Sequence, residues 1–132
     1  MRTVFTIATT QREELVDITG TVRHLVEKSD RSLQLCSLFV PGATAAIMIQ
    51  ENWDPNIASD VVNCLRRLIP RDAWLHDRID GNGDSHIKAG IIGPSETIPI
   101  LEGTLLLGTW QNIFLCEFDG PRRKREIIVT LL

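Results

Sequence analysis

The stretch Thr104-Leu105-Leu106-Leu107-Gly108-Thr109-Trp110-Gln111-Asn112-Ile113-Phe114-Leu115-Cys116-Glu117-Phe118 decides the fold class. Read with a two-residue period it is apolar in both phases. Leu105, Leu107, Ile113 and Leu115 share one side; Leu106, Trp110, Phe114 and Phe118 share the other. Such a strand needs cover on both faces, helices on one and another subunit on the other. Its neighbours also read as β structure. Thr97 to Leu101 precedes it across a Glu102-Gly103 turn, and Arg125 to Leu131 returns after an Asp119-Gly120-Pro121 turn.

Further back, Ala45 to Glu51 alternates, so Ala45, Ile47, Ile49 and Glu51 fall on one face. A carboxylate closing an apolar row calls for a cation or hydrogen-bond donors. Thr3 to Thr9, Glu14 to Ile18 and Ser32 to Val40 read as further strands. Ile18, Val22, Leu25 and Val26 form the stripe of a helix running to Ser29, capped by Asp17 or Thr19. Asp54-Pro55 starts a second helix, with Asp as the cap and Pro as the first helical residue. Its stripe is Ile57, Val61, Leu65, Leu68 and Ile69. Arg71 to Asp84 reads as a loop, and Ser85 as the cap of a short helix closed by Gly93. Strand-rich ends around two or three helices predict one α+β domain over residues 1–132, a mainly antiparallel sheet or sandwich.

The 132 residues suit a single domain, and 43% hydrophobic against 23% charged residues place the chain among globular proteins. A formal net charge of -3 argues against a dedicated nucleic-acid binder, which needs a basic surface. No apolar run is long enough to span a membrane, and the first residues lack a signal-peptide pattern. Cys36, Cys64 and Cys116 show no close pairing and read as reduced thiols of a cytoplasmic protein.

Chemistry concentrates in a few places. Asp80-Gly81-Asn82-Gly83-Asp84 begins like a calcium loop, but Ser85 and Ile91 stand where its turn glycine and bidentate glutamate belong. His76 and His86 bracket this loop, so folding it back brings two imidazoles to one metal or phosphate. His24 sits among surface charges. Glu51-Asn52-Trp53-Asp54 gathers carboxylates and an amide at a strand-to-helix junction. Arg122-Arg123-Lys124-Arg125 reads first as a solvated edge, with one arginine available to clamp a phosphate. No Walker loop, dinucleotide fingerprint or nucleophile elbow is present.

Several segments resemble the YjbQ family: Phe39-Val40-Pro41 through Glu51-Asn52 with Asp54-Pro55, Ser85-His86-Ile87-Lys88 with Gly93, Gly103, Gly108-Thr109-Trp110-Gln111, and Glu117 through Arg122. The resemblance implies a small α+β fold, a cytoplasmic homotrimer and a secondary thiamine-phosphate synthase activity. That transferase reaction joins hydroxymethylpyrimidine diphosphate to a thiazole phosphate and expels pyrophosphate. It implies Glu51, His76, His86 and Gln111 as catalytic residues, and Asn52, Asp54 and Arg122 as ligand-binding ones. A divalent metal, zinc or magnesium, would sit on His76 and His86. One departure stands out: family members carry a histidine where this chain has Gly42, before Ala43-Thr44. The other reading is therefore a non-catalytic metal- or phosphate-ligand-binding module that kept the fold.

Overall fold

In the computed structural model, which describes residues 1–132, the alternating segments become eight strands and the amphipathic ones three helices. The order is β1 (Arg2–Ile7), β2 (Glu14–Asp17), α1 (Thr19–Glu27), β3 (Leu35–Phe39), β4 (Ala45–Glu51), α2 (Asn56–Leu68), a 3-10 turn (Leu75–Arg78), α3 (Gly83–Ile92), β5 (Ser95–Leu101), β6 (Thr104–Leu105), β7 (Gln111–Glu117) and β8 (Arg125–Leu131). All pairings are antiparallel. They build a five-stranded sheet, β1-β8-β3-β5-β6, and a three-stranded sheet, β2-β7-β4.

The two sheets face each other. Ile127, Val129 and Leu131 of the larger one meet Ile47, Ile113 and Leu115 of the smaller, with Val22 and Val26 of α1 closing the same core. The opposite side of the small sheet carries Ala46, Cys116 and Phe118, covered by Leu65 of α2, Ile69 just after it, and Ala89 of α3. The result is a sheet-sheet-helix layering, the α+β sandwich that the strand periodicity predicts. No helix is long and apolar enough to cross a membrane.

Several local expectations are corrected. The long strand is two strands: Leu106 to Trp110 leave the ladder, and the chain passes from the large sheet to the small one. Gly108 donates its N–H to Gln111 Oε1 (2.8 Å), and Gln111 N–H donates to Gly108 O (3.0 Å), which closes the turn. A segment apolar in both phases suits either sheet, so the turn decides which residues go where. β7 is then covered on both faces by this chain alone, and no second subunit is needed there. Helix α3 starts at Gly83, two residues before the expected Ser85 cap. Asp77 Oδ1 accepts the Gly83 N–H (2.8 Å), while Ser85 Oγ donates to Phe118 O (2.6 Å) and pins α3 to the end of β7. Leu68 is 70% exposed and lies off the buried stripe of α2. At the start of α2 the cap position falls to Pro55 and the helix begins at Asn56, one residue later than expected; Asp54, just outside it, accepts the Asn56 N–H at Oδ1 (2.9 Å). In α1 the cap position is Ile18, neither Asp17 nor Thr19, and Asp17 accepts the Thr19 N–H (2.8 Å) from one residue further out.

Candidate functional site

His76 sits in the 3-10 turn and His86 in the first turns of α3. One carboxylate ties these elements together: Asp77 Oδ1 holds Gly83 N–H and Oδ2 accepts the Trp74 N–H (3.1 Å). Glycine is required at 83, because a Cβ there would stand 2.8 Å from the Trp74 Cβ. The folded-back loop brings the His76 and His86 rings edge to face, with centroids 4.7 Å apart. They border a hollow of about 460 Å³ with Trp74, Leu75, Gly83 and Ile87. His76 Nε2 lies 3.6 Å from the Asp80 carboxylate. His86 also borders a second hollow of about 320 Å³, whose other walls include Gly42, Ala45 and Ala89.

The other residues singled out from the sequence lie elsewhere. Glu51 and Gln111 are paired across β4 and β7 at the far end of the small sheet. Ala45 borders the His86 hollow, and Glu51 is six residues further along β4, about 20 Å away at strand rise. Gln111 spends its side-chain carbonyl on the Gly108 turn. Asn52 Nδ2 donates to Asp17 Oδ2, and Asp54 serves the start of α2. Beside them Trp53 and Trp110 meet edge to face at 5.8 Å, both largely exposed. Arg122 is held by Asp119, through Nε to the backbone O (3.0 Å) and Nη2 to Oδ2 (3.2 Å). The expected polar hollow therefore divides: the imidazoles meet each other but not Glu51 or Gln111.

Two buried ionic groups went unnoticed in the sequence. Lys88 is completely buried, and its Nζ donates to Asp84 Oδ2 (2.8 Å) and Glu13 Oε2 (3.2 Å). Arg12 grips the same Asp84 carboxylate with both terminal nitrogens (3.0 and 3.2 Å). Burial pushes the Asp84 carboxyl up, but the hydrogen bonds and charges of Arg12 and Lys88 outweigh it and hold it below its ordinary value. The second group lies between the sheets. Arg125 donates from Nε (3.0 Å) and Nη2 to the Glu117 carboxylate, and from Nη2 to Thr44 Oγ1 (2.8 Å). Thr9 Oγ1 donates to Glu117 Oε1 (2.8 Å). Burial again pushes the Glu117 carboxyl up, and donation from Arg125, Thr9 and the Asp119 N–H brings it below the usual range. Strand phase carried a signal for this pair. Arg125 is in step with Ile127, Val129 and Leu131, and Glu117 with Ile113 and Leu115.

Residues 3–132 match the family described as UPF0047 protein YjbQ-like. This chain belongs to the YjbQ family. A UPF0047 protein of Methanocaldococcus jannaschii is 45% identical over 128 residues, covering 97% of this chain and 91% of that one. UPF0047 protein YugU of Bacillus subtilis is 36% identical over 118 residues, 89% of each chain. Among solved structures, a YbjQ-like protein of Sulfolobus solfataricus superposes with a TM-score of 0.94 at 38% identity, covering 99% of this chain and 95% of that one. A protein of Aeropyrum pernix also gives 0.94, at 35% identity, covering 100% and 98%.

Within this YjbQ fold, Gly42 borders the same hollow as His86 but brings no imidazole to it. Without one the donor set falls short of a resident zinc. No group of three or more His, Cys, Asp or Glu side chains is disposed to hold a metal ion. Asp77 is spent on backbone N–H groups, and two imidazoles are half of a tetrahedral set.

Proposed function

We propose that this YjbQ-family protein works through the His76–His86 hollow and takes a small phosphorylated ligand there. The reaction class is group transfer with loss of pyrophosphate, as in joining hydroxymethylpyrimidine diphosphate to a thiazole phosphate. The observation that carries the reading is the edge-to-face contact of the two imidazoles, 4.7 Å between centroids, on the wall of an open hollow. Imidazole nitrogens donate to phosphoryl oxygens or accept their protons, and a fixed pair of rings meets charge developing on a departing diphosphate. No step runs through a resident metal, because the ligand set is incomplete; a divalent cation enters as the partner of the diphosphate itself. The test is pyrophosphate release from the two phosphorylated precursors with purified protein and magnesium. Turnover that falls about a hundredfold in His86→Ala, the scale of a lost general acid or base, supports the proposal. Turnover equal in wild type and His86→Ala rejects it.

Gly42, and the distance of Glu51 and Gln111 from the imidazoles, favour the second reading, a ligand-binding relative without turnover. It predicts binding of thiazole phosphate with no pyrophosphate release, and zinc affinity gained on Gly42→His.

The homotrimer is part of the proposal. Its support is the outer face of the five-stranded sheet, which no element of this chain covers. Val4, Ile128 and Phe39 stand side by side there in register, and Leu35 opposes Pro99. Val4 is 51%, Phe39 43% and the neighbouring Leu101 60% exposed.

A further inference from the structure

The Arg125 guanidinium has one nitrogen left over. Nε and Nη2 are consumed by Glu117 and Thr44, and Nη1 has no partner in the chain. Its side chain is only 9% exposed, so this donor is fixed in place rather than waving in solvent. Nη1 faces Gly42, where a Cβ would stand 3.0 Å from it. The absence of a side chain at 42 is thus what leaves the guanidinium edge open. The opening is a hollow of about 160 Å³ with Lys124 and Glu126 also on its walls. Lys124 and Arg123 are exposed and have no ion-pair partner within the chain.

We infer that Arg125 Nη1 and Lys124 form a small-oxyanion site over Gly42, which takes inorganic phosphate or the phosphate of a monoester. Glu117 and Thr44 already hold the guanidinium flat and oriented, so an arriving oxyanion meets a preorganised N–H pair. The Glu117 carboxylate balances the Arg125 charge, so the attraction that draws a dianion comes from Lys124 and Arg123. Glu126 opposes it. The site needs neither His76 nor His86 and stands independently of the reading above.

The experiment is a titration of the full chain with inorganic phosphate, following the Arg125 side-chain resonances by NMR. A saturable shift is expected. Gly42→Ala puts a methyl against Nη1 and weakens binding about tenfold, the scale of one lost charge-assisted hydrogen bond. The backbone at 42 is not in the left-handed region, so alanine adds no backbone strain, and its Cβ would stand 3.0 Å from Nη1. Lys124→Gln, a surface change, weakens binding several-fold, Glu126→Gln tightens it, and His86→Ala leaves it unchanged. No saturable shift in the wild type overturns the site. So does equal affinity in wild type, Gly42→Ala and Lys124→Gln. A loss seen with His86→Ala alone places the phosphate on the imidazoles and overturns it as well.

Discussion

Lys88 shows how much one buried side chain can hold together. Its two carboxylate partners come from the β1–β2 connection and from one turn earlier in α3, so three charges lock the helix onto the sheet. Removing one member strands the others in a dry site. Lys88→Met is expected to lower stability by about 3 kcal/mol, measured by urea unfolding. Loss of less than about 0.5 kcal/mol, the range of a surface substitution, would show the cluster to be better hydrated than its burial indicates. The Asp84 and Glu117 carboxyls give a pH signature. Both are held below their ordinary values in the folded state, so the unfolded chain binds protons more readily. Their contribution is complete above the ordinary carboxylate range and drains as the pH falls through it towards their depressed values. Thermal midpoints should decline over that window, and less steeply in Lys88→Met. Burial pushes the Cys36 thiol up to about 11 and Cys116 up to about 12, whereas Cys64 is exposed. One thiol in three should react with a thiol reagent in the native protein, and all three after denaturation.

At the scale of elements, the joints matter more than the strands themselves. The turn over Gly108 to Gln111 moves the chain from one sheet to the other, and the start of α1 is tied to the same strand. Thr19 Oγ1 accepts the Ile113 N–H (2.8 Å), and Asp17, one residue before the cap position Ile18, accepts the Thr19 N–H (2.8 Å). Asp17→Ala is expected to cost about 1 kcal/mol, the usual net worth of one hydrogen bond to a helix-start N–H, without altering the β2–β7 register. Unfolding midpoints and amide chemical shifts along Gln111–Glu117 check the two halves of that statement. The α3 joint was less legible. Ser85 has the chemistry of a cap and sits two resides after the helix start, because Asp77 satisfies the Gly83 N–H from outside the helix. A cap supplied from six residues upstream leaves no local pattern to read.

For the whole molecule, the layering leaves the outer face of the large sheet bare while both faces of the small sheet are covered. If this face carries the trimer, Phe39→Glu should yield a monomer by light scattering with little change in circular dichroism; a wild type already monomeric refutes the assembly. The sequence by itself determined the family, the α+β class and most strand positions, because alternation and helical stripes are local and survive any arrangement of the elements. β4 and β8 occupy the spans that their alternation predicts. It also left the loop between His76 and His86 free to fold back, through its glycines and short polar residues, while the Asp77 bonds to Trp74 and Gly83 decide that it does. The tertiary structure alone decided which charges go inside and which site residues are neighbours. Arg125 reads as the end of a solvated basic run, yet it is buried because Glu117 arrives from the other sheet to meet it. Glu51 and the imidazoles look equally eligible for one pocket, yet the length of β4 holds them apart. Both outcomes depend on distances across the sandwich, which no run of neighbouring residues encodes.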